Sequence, residues 1–186
     1  MSDTFAEAAA QLSLATEEWL GLSDAMREDL RLLINSLTSE PENQMLRRAF
    51  VRACWAYVEG VTFAVKDFMR VACQFDTERL TQEDHAFLAN VRSPITVDPM
   101  ENLKRTFRLA AYVFDLAWQP DFGGEGYQAL HRSLQIRHRL THPKSVKAID
   151  VGQSDFKDIQ VGVAWFIQTF TTFEEKAVAR FKGLEP

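Results

Sequence analysis

Long apolar runs are missing from this chain of 186 residues. None reaches the roughly 18 apolar residues in a row that a membrane-spanning helix needs, so no membrane partner is expected. The opening residues Met1-Ser2-Asp3-Thr4-Phe5-Ala6-Glu7 carry two carboxylates and no lysine or arginine. A secretory leader requires a basic stretch followed by an apolar one, so the expected location is cytoplasmic. Cysteine is scarce: Cys54 and Cys73 are the two. Both lie in one helical pattern, where their spacing corresponds to roughly 28 Å of rise. A disulfide tolerates about 7 Å between Cα atoms, which excludes an internal bridge, and two thiols so spaced make a poor metal site. A glycine-rich phosphate loop, a Gly-x-Ser-x-Gly elbow and a Cys-His nucleophile arrangement are also missing, as is the Glu-x-x-His pair of a di-iron bundle. No cofactor is expected.

Charge of one sign is missing locally. The whole chain has a formal charge of -5, which argues against a protein that coats nucleic acid generally. Between Glu125 and Asp150, however, there is no acidic residue. That stretch holds Arg132, Arg137, Arg139, Lys144 and Lys147 together with His131, His138 and His142.

What is present is helix signal. Alternation of the strand type, internal repeats and low-complexity tracts are not found, while fourteen Phe and four Trp supply core material. Thr4 to Glu7 reads as a capping box opening a helical stretch to about residue 36, with Gly21-Leu22-Ser23-Asp24 as a break or bend. Ser39-Glu40-Pro41-Glu42 reads as a second start. Leu46, Phe50, Cys54, Tyr57, Val61, Val65, Phe68 and Ala72 then recur at three and four, predicting a long helix that ends near Phe75. Thr81 caps a short helix containing Phe87 and Leu88, and residues 90–97 form a connection with a proline. Asp98-Pro99-Met100-Glu101 starts a helix with the stripe Leu103, Phe107, Ala111 and Phe114. A glycine-bearing loop at 120–126 precedes a helix begun by Tyr127, Leu130 and Leu134, which Pro143 must stop. Ser154 is the expected cap of a last helix with the stripe Phe156, Ile159, Val163, Phe166, Phe170 and Phe173. The fold class is all-α: one domain over 1–186, with a helical extension at 1–36 and a core bundle at 41–182, of four to five main helices.

The chemistry concentrates at the end of the helix before Pro143. With Leu134 at the centre of the inward face and about 100° per residue, Tyr127, Leu130 and Thr141 lie near the centre. His131, His138 and His142 fall along one edge and Arg137 on the other. The cations suit the negative end of the helix dipole. Arg137-His138-Arg139-Leu140-Thr141-His142-Pro143 resembles the motif of the HEPN superfamily, in which Arg is followed by a polar residue and, after four to six residues, by His. Ala56-Tyr57-Val58-Glu59-Gly60 is similar to a segment of some of its members, and the helix pattern over 41–175 is similar as well. Arg79 to His85 and Arg132 to His138 also match the bare spacing, but only Arg137 combines the polar neighbour, the helix-ending proline and the apolar seam.

The resemblance implies a dimeric, HEPN-like fold and a metal-independent endoribonuclease whose two motifs face one another across a dimer seam. It implies His142 as general acid or base, Arg137 as phosphate clamp and His138 as an assisting group. It implies RNA as partner, a homodimer, and an antitoxin or nucleotidyltransferase as further partner in a toxin-antitoxin or phage-defence setting. Arg132, Arg139 and Lys144 are the expected RNA-backbone contacts. Arg137 and His142 stand about 140° apart on an ideal helix, so they meet on one phosphate only if the helix end distorts or a second subunit contributes. Two other readings stay open. One is a non-catalytic dimerising, RNA-binding or partner-binding module. The other is a metal site on His138 and His142 with His131 or His85 as third ligand. Glu59 is open between a partner for Arg137 and a solvated carboxylate.

Overall fold

The computed structural model describes residues 2–73, 80–89 and 98–181. Among these it is all-helical, with no strand: α1 (Ser2–Ser39), α2 (Gln44–Ala72), α3 (Gln82–Ala89), α4 (Pro99–Val113), α5 (Glu125–Thr141), a 3-10 turn (Val146–Ile149) and α6 (Gln153–Phe181). None of the described helices is long and apolar enough to cross a membrane.

The helix ends explain where the expected boundaries moved. α1 runs unbroken through Gly21, because isolated glycine inside a helix weakens it without stopping it. It begins ahead of Thr4, whose side chain lies outside the described ones. α2 starts three residues beyond Pro41, where Asn43 Oδ1 accepts from the amides of Met45 and Leu46 at 3.0 and 3.3 Å. It ends at Ala72, and Phe75, near which the end was expected, lies outside the described residues. Thr81 and Asp84 form a reciprocal capping box for α3, and Asp98 accepts from Met100 and Glu101 at the start of α4. Asp155, not Ser154, closes the start of α6, accepting from the Gly152 amide at 3.1 Å. The proline connection at 90–97 and Arg79 lie outside the described residues.

The chain divides into two compact units, each discontinuous in sequence. The first comprises Met1–Ser23, Glu59–Pro120 and Lys176–Pro186. Its core is aromatic: Trp19 meets Phe68 at 5.5 Å, Phe68 meets Phe114 at 5.3 Å, and Phe107 packs edge-on to Trp118. The α4 stripe of Leu103, Phe107, Ala111 and Phe114 is buried there as the periodicity requires. α4 ends in a two-bond reversal, Leu116 N to Ala111 O and Asp115 N to Tyr112 O, with Asp115 left-handed at φ 53° and its carboxylate on Arg180.

The second unit comprises Asp24–Val58 and Asp121–Glu175. Leu30 and Leu37 of α1, Phe50, Val51, Cys54, Trp55 and Tyr57 of α2, and Phe156, Phe166, Phe170 and Phe173 of α6 are buried in it. α1, the expected helical extension, contributes core residues to both units. Tyr57 accepts a hydrogen bond from Arg27 Nε at 2.9 Å, and that guanidinium also reaches Glu174 at 3.3 Å. Burial pushes the Glu174 carboxyl up, against the pull of Arg27. α5 lies close on α6 because Gly162 has no side chain: a Cβ there would stand 2.6 Å from the Leu130 backbone. Gly126 in the same way leaves room for the Trp165 side chain.

Candidate functional site

α5 is launched by a local turn. Asp121 Oδ1 accepts from the amides of Gly123 and Gly124 at 3.0 and 2.9 Å, and Gly124 is the N-cap. Tyr127, Ala129, Leu130, Ser133, Leu134, Ile136 and Leu140 form its buried face. Thr141, expected near the centre of that face, is exposed, and its hydroxyl turns back onto the Arg137 carbonyl at 2.8 Å. Leu140 is the last buried position of the helix, and Thr141 beyond it faces solvent.

The proline does what its chemistry demands. α5 ends at Thr141, and His142 caps it with φ -126° and ψ 64°, its amide donating to the His138 carbonyl at 3.0 Å. His142 is therefore off the ideal helical path. Arg137 is half-buried; His138 and His142 are exposed. Among the described residues neither imidazole has a side-chain hydrogen bond. His138 thus points to solvent rather than into the apolar seam, and His131 is exposed too.

The expected RNA contacts divide. Arg132 is exposed, but its guanidinium is held by Asp158 at 2.8 Å and Glu125 at 2.6 Å. Those hydrogen bonds, Asp158 first, raise its pKa above the ordinary arginine value. Arg139 is held by the Asp155 carboxylate and donates to the Asp150 carbonyl at 3.0 Å. Both arginines belong chiefly to the α5–α6 connection, because a carboxylate in direct contact offsets the charge that a phosphate would meet. Lys144 and Lys147 are exposed on the segment after Pro143.

Two arginines of α2, not singled out in the sequence, complete the neighbourhood. Arg47 is 2% exposed and donates to the carbonyls of Pro41 and Val151 at 2.7 and 3.0 Å, and to Glu42 and Gln153. Its guanidinium also lies over the Phe156 ring. Arg52 donates through Nη2 to the Leu140 carbonyl at 3.3 Å, one of the carbonyls that the end of α5 leaves without a helical partner. An Arg four or five positions along an apolar stripe looks like any solvated charge in sequence; only the return of α5 against α2 shows what each does.

For the metal reading, no group of three or more His, Cys, Asp or Glu side chains among the described residues could hold an ion. His138 and His142 thus lack the third ligand expected in His131 or His85. Cys54 and Cys73 are both buried free thiols, and burial pushes Cys54 well above the ordinary thiol value. Comparison with models of known families, with curated proteins and with solved structures finds no match for this chain.

Proposed function

We propose that the end of α5 is an RNA-cleaving site of the HEPN-like kind, acting without a metal and completed by a second copy of the chain. The observation that carries this reading is the grouping of Arg137, His138 and His142 in the last turn and cap of one helix, with both imidazoles open to solvent where Pro143 turns the backbone away. One imidazole takes the proton of an RNA 2′-hydroxyl as its oxygen bonds to phosphorus. An imidazolium gives a proton to the departing 5′-oxygen as the P–O bond breaks, leaving a 2′,3′-cyclic phosphate and a 5′-hydroxyl. Histidine is the side chain that titrates near neutral pH and suits both transfers. The Arg137 guanidinium offers paired donors to the phosphorane oxygens. Lys144 is a backbone contact, while the carboxylate-held Arg132 and Arg139 contribute little.

Purified protein in excess EDTA is expected to cleave single-stranded RNA to cyclic-phosphate ends. His142→Ala and Arg137→Ala each lose at least about a hundredfold in rate while keeping the helical signature and melting temperature. Cleavage unaffected by both substitutions would overturn the proposal. One observation favours a second reading, a non-catalytic RNA- or partner-binding module in a cytoplasmic toxin-antitoxin or similar setting: neither His138 nor His142 is oriented by a neighbouring side chain. RNA binding by the native protein without cleavage would select it.

A further inference from the structure

We infer that Arg52 of α2 is a phosphate-binding residue of this site, holding the RNA phosphate next to the scissile one; the inference rests on the RNA-cleaving reading. Arg52 is exposed, and its guanidinium makes one hydrogen bond, from Nη2 to the Leu140 carbonyl. That carbonyl lies between His138 and His142 in sequence, in the turn that carries both imidazoles. A guanidinium has five N–H donors, and a single bond to a carbonyl leaves most of them, and its full charge, available. Arg132 and Arg139 each sit on carboxylates, and Arg47 is buried on carbonyls, Glu42 and Gln153. Among the described residues Arg52 pairs with no carboxylate. Arg48 stands one turn earlier on the same side of α2, and Lys144 follows His142 across Pro143. One cation beside the basic stretch of 126–149 thus comes from a helix more than eighty positions earlier.

Because Arg52 bonds the end of α5, it acts on RNA only if its loss weakens binding more than it weakens the fold. The test measures binding of a labelled oligonucleotide with 2′-deoxy substitution, which cannot undergo 2′-attack, at several salt concentrations, with melting temperature alongside. Arg52→Gln is expected to weaken binding about tenfold and to lower the salt slope by about 0.7, the value of one lost single-strand phosphate contact. Arg52→Lys, which keeps the charge and loses the planar fork, should fall within about threefold of the native protein. Arg31→Gln, removing equal charge from α1, serves as the control and should stay within about twofold. Native-like binding by Arg52→Gln, with or without a lower melting temperature, overturns the role of Arg52 and leaves the Arg137–His142 site standing. Failure of the native protein itself to bind overturns both.

Discussion

At the scale of single residues, charge is used in two opposite ways. Arg47 is buried but matched at nearly every donor, so its planar fork ties the start of α2 to the segment before α6. Lys66 is buried, 6% exposed, and among the described residues only Asn102 Oδ1 at 3.4 Å and the Phe87 ring at 3.8 Å receive its ammonium. Arg105 lies over the same ring at 4.4 Å. Burial first, and the charge of Arg105 second, lower the Lys66 pKa from its ordinary 10.5. A lowered lysine means the folded state holds that proton less tightly than the unfolded chain does. Stability is therefore reduced in full below the folded pKa and recovers as pH rises toward 10.5. Lys66→Met is expected to raise the melting temperature at pH 7 by roughly 2–4 °C, with the gain shrinking as the pH is raised to 10.5. Calorimetric scans at both pH values check this; equal or lower stability of the variant at pH 7 would mean that the ring contact outweighs desolvation.

At the scale of elements, α5 owes its position to small residues as much as to apolar ones. Leu130 and Leu134 are legible in the sequence as an inward stripe, and both are buried. Gly162 was not legible: inside the α6 stripe it reads as a helix weakness, whereas it is the point where the two backbones approach. Gly162→Ala places a Cβ 2.6 Å from Leu130 Cα and N, and backbone cannot swing aside as a side chain can. The expected cost is about 1–3 kcal/mol in urea unfolding, with any cleavage reduced as well, since α5 carries the proposed site. Gly152→Ala, where the nearest atom to a Cβ is a side-chain oxygen at 3.8 Å, should cost far less and serves as the comparison. A loss of equal size in the two variants would show that glycine flexibility rather than helix approach is at issue.

At the scale of the whole molecule, the proposed site depends on two copies. If Arg137 of one protomer acts with His142 of another, a mixture of Arg137→Ala and His142→Ala proteins regains activity that neither has alone. Random pairing puts half the dimers in the mixed form, and each has one intact site of two, so about a quarter of native activity is expected. Recovery of none, with exchange of subunits demonstrated, would place the whole reaction within one protomer. The chain's formal charge of -5 and the pairing of Arg132 and Arg139 with carboxylates also argue against a broad basic face around the proposed site.

The local physics of the chain settled the all-helical class and most helix faces. Periodic burial at three and four, a proline that no helix can continue through, and caps such as Thr81 and Asp98 act over a few residues and can be read there. They placed His142 at the cap of α5 and the α4 and α6 stripes in the core. Four things depended on distant chain: the burial of α1 in both units, the pairing of Arg132 and Arg139 with carboxylates, the glycine contact of Gly162, and the arrival of Arg52 at the Leu140 carbonyl. Which carboxylate or carbonyl a long cation finds is decided by the packing of helices far apart in sequence. A periodic pattern says which face turns inward, and only the folded chain says what that face, and the charges beside it, will meet.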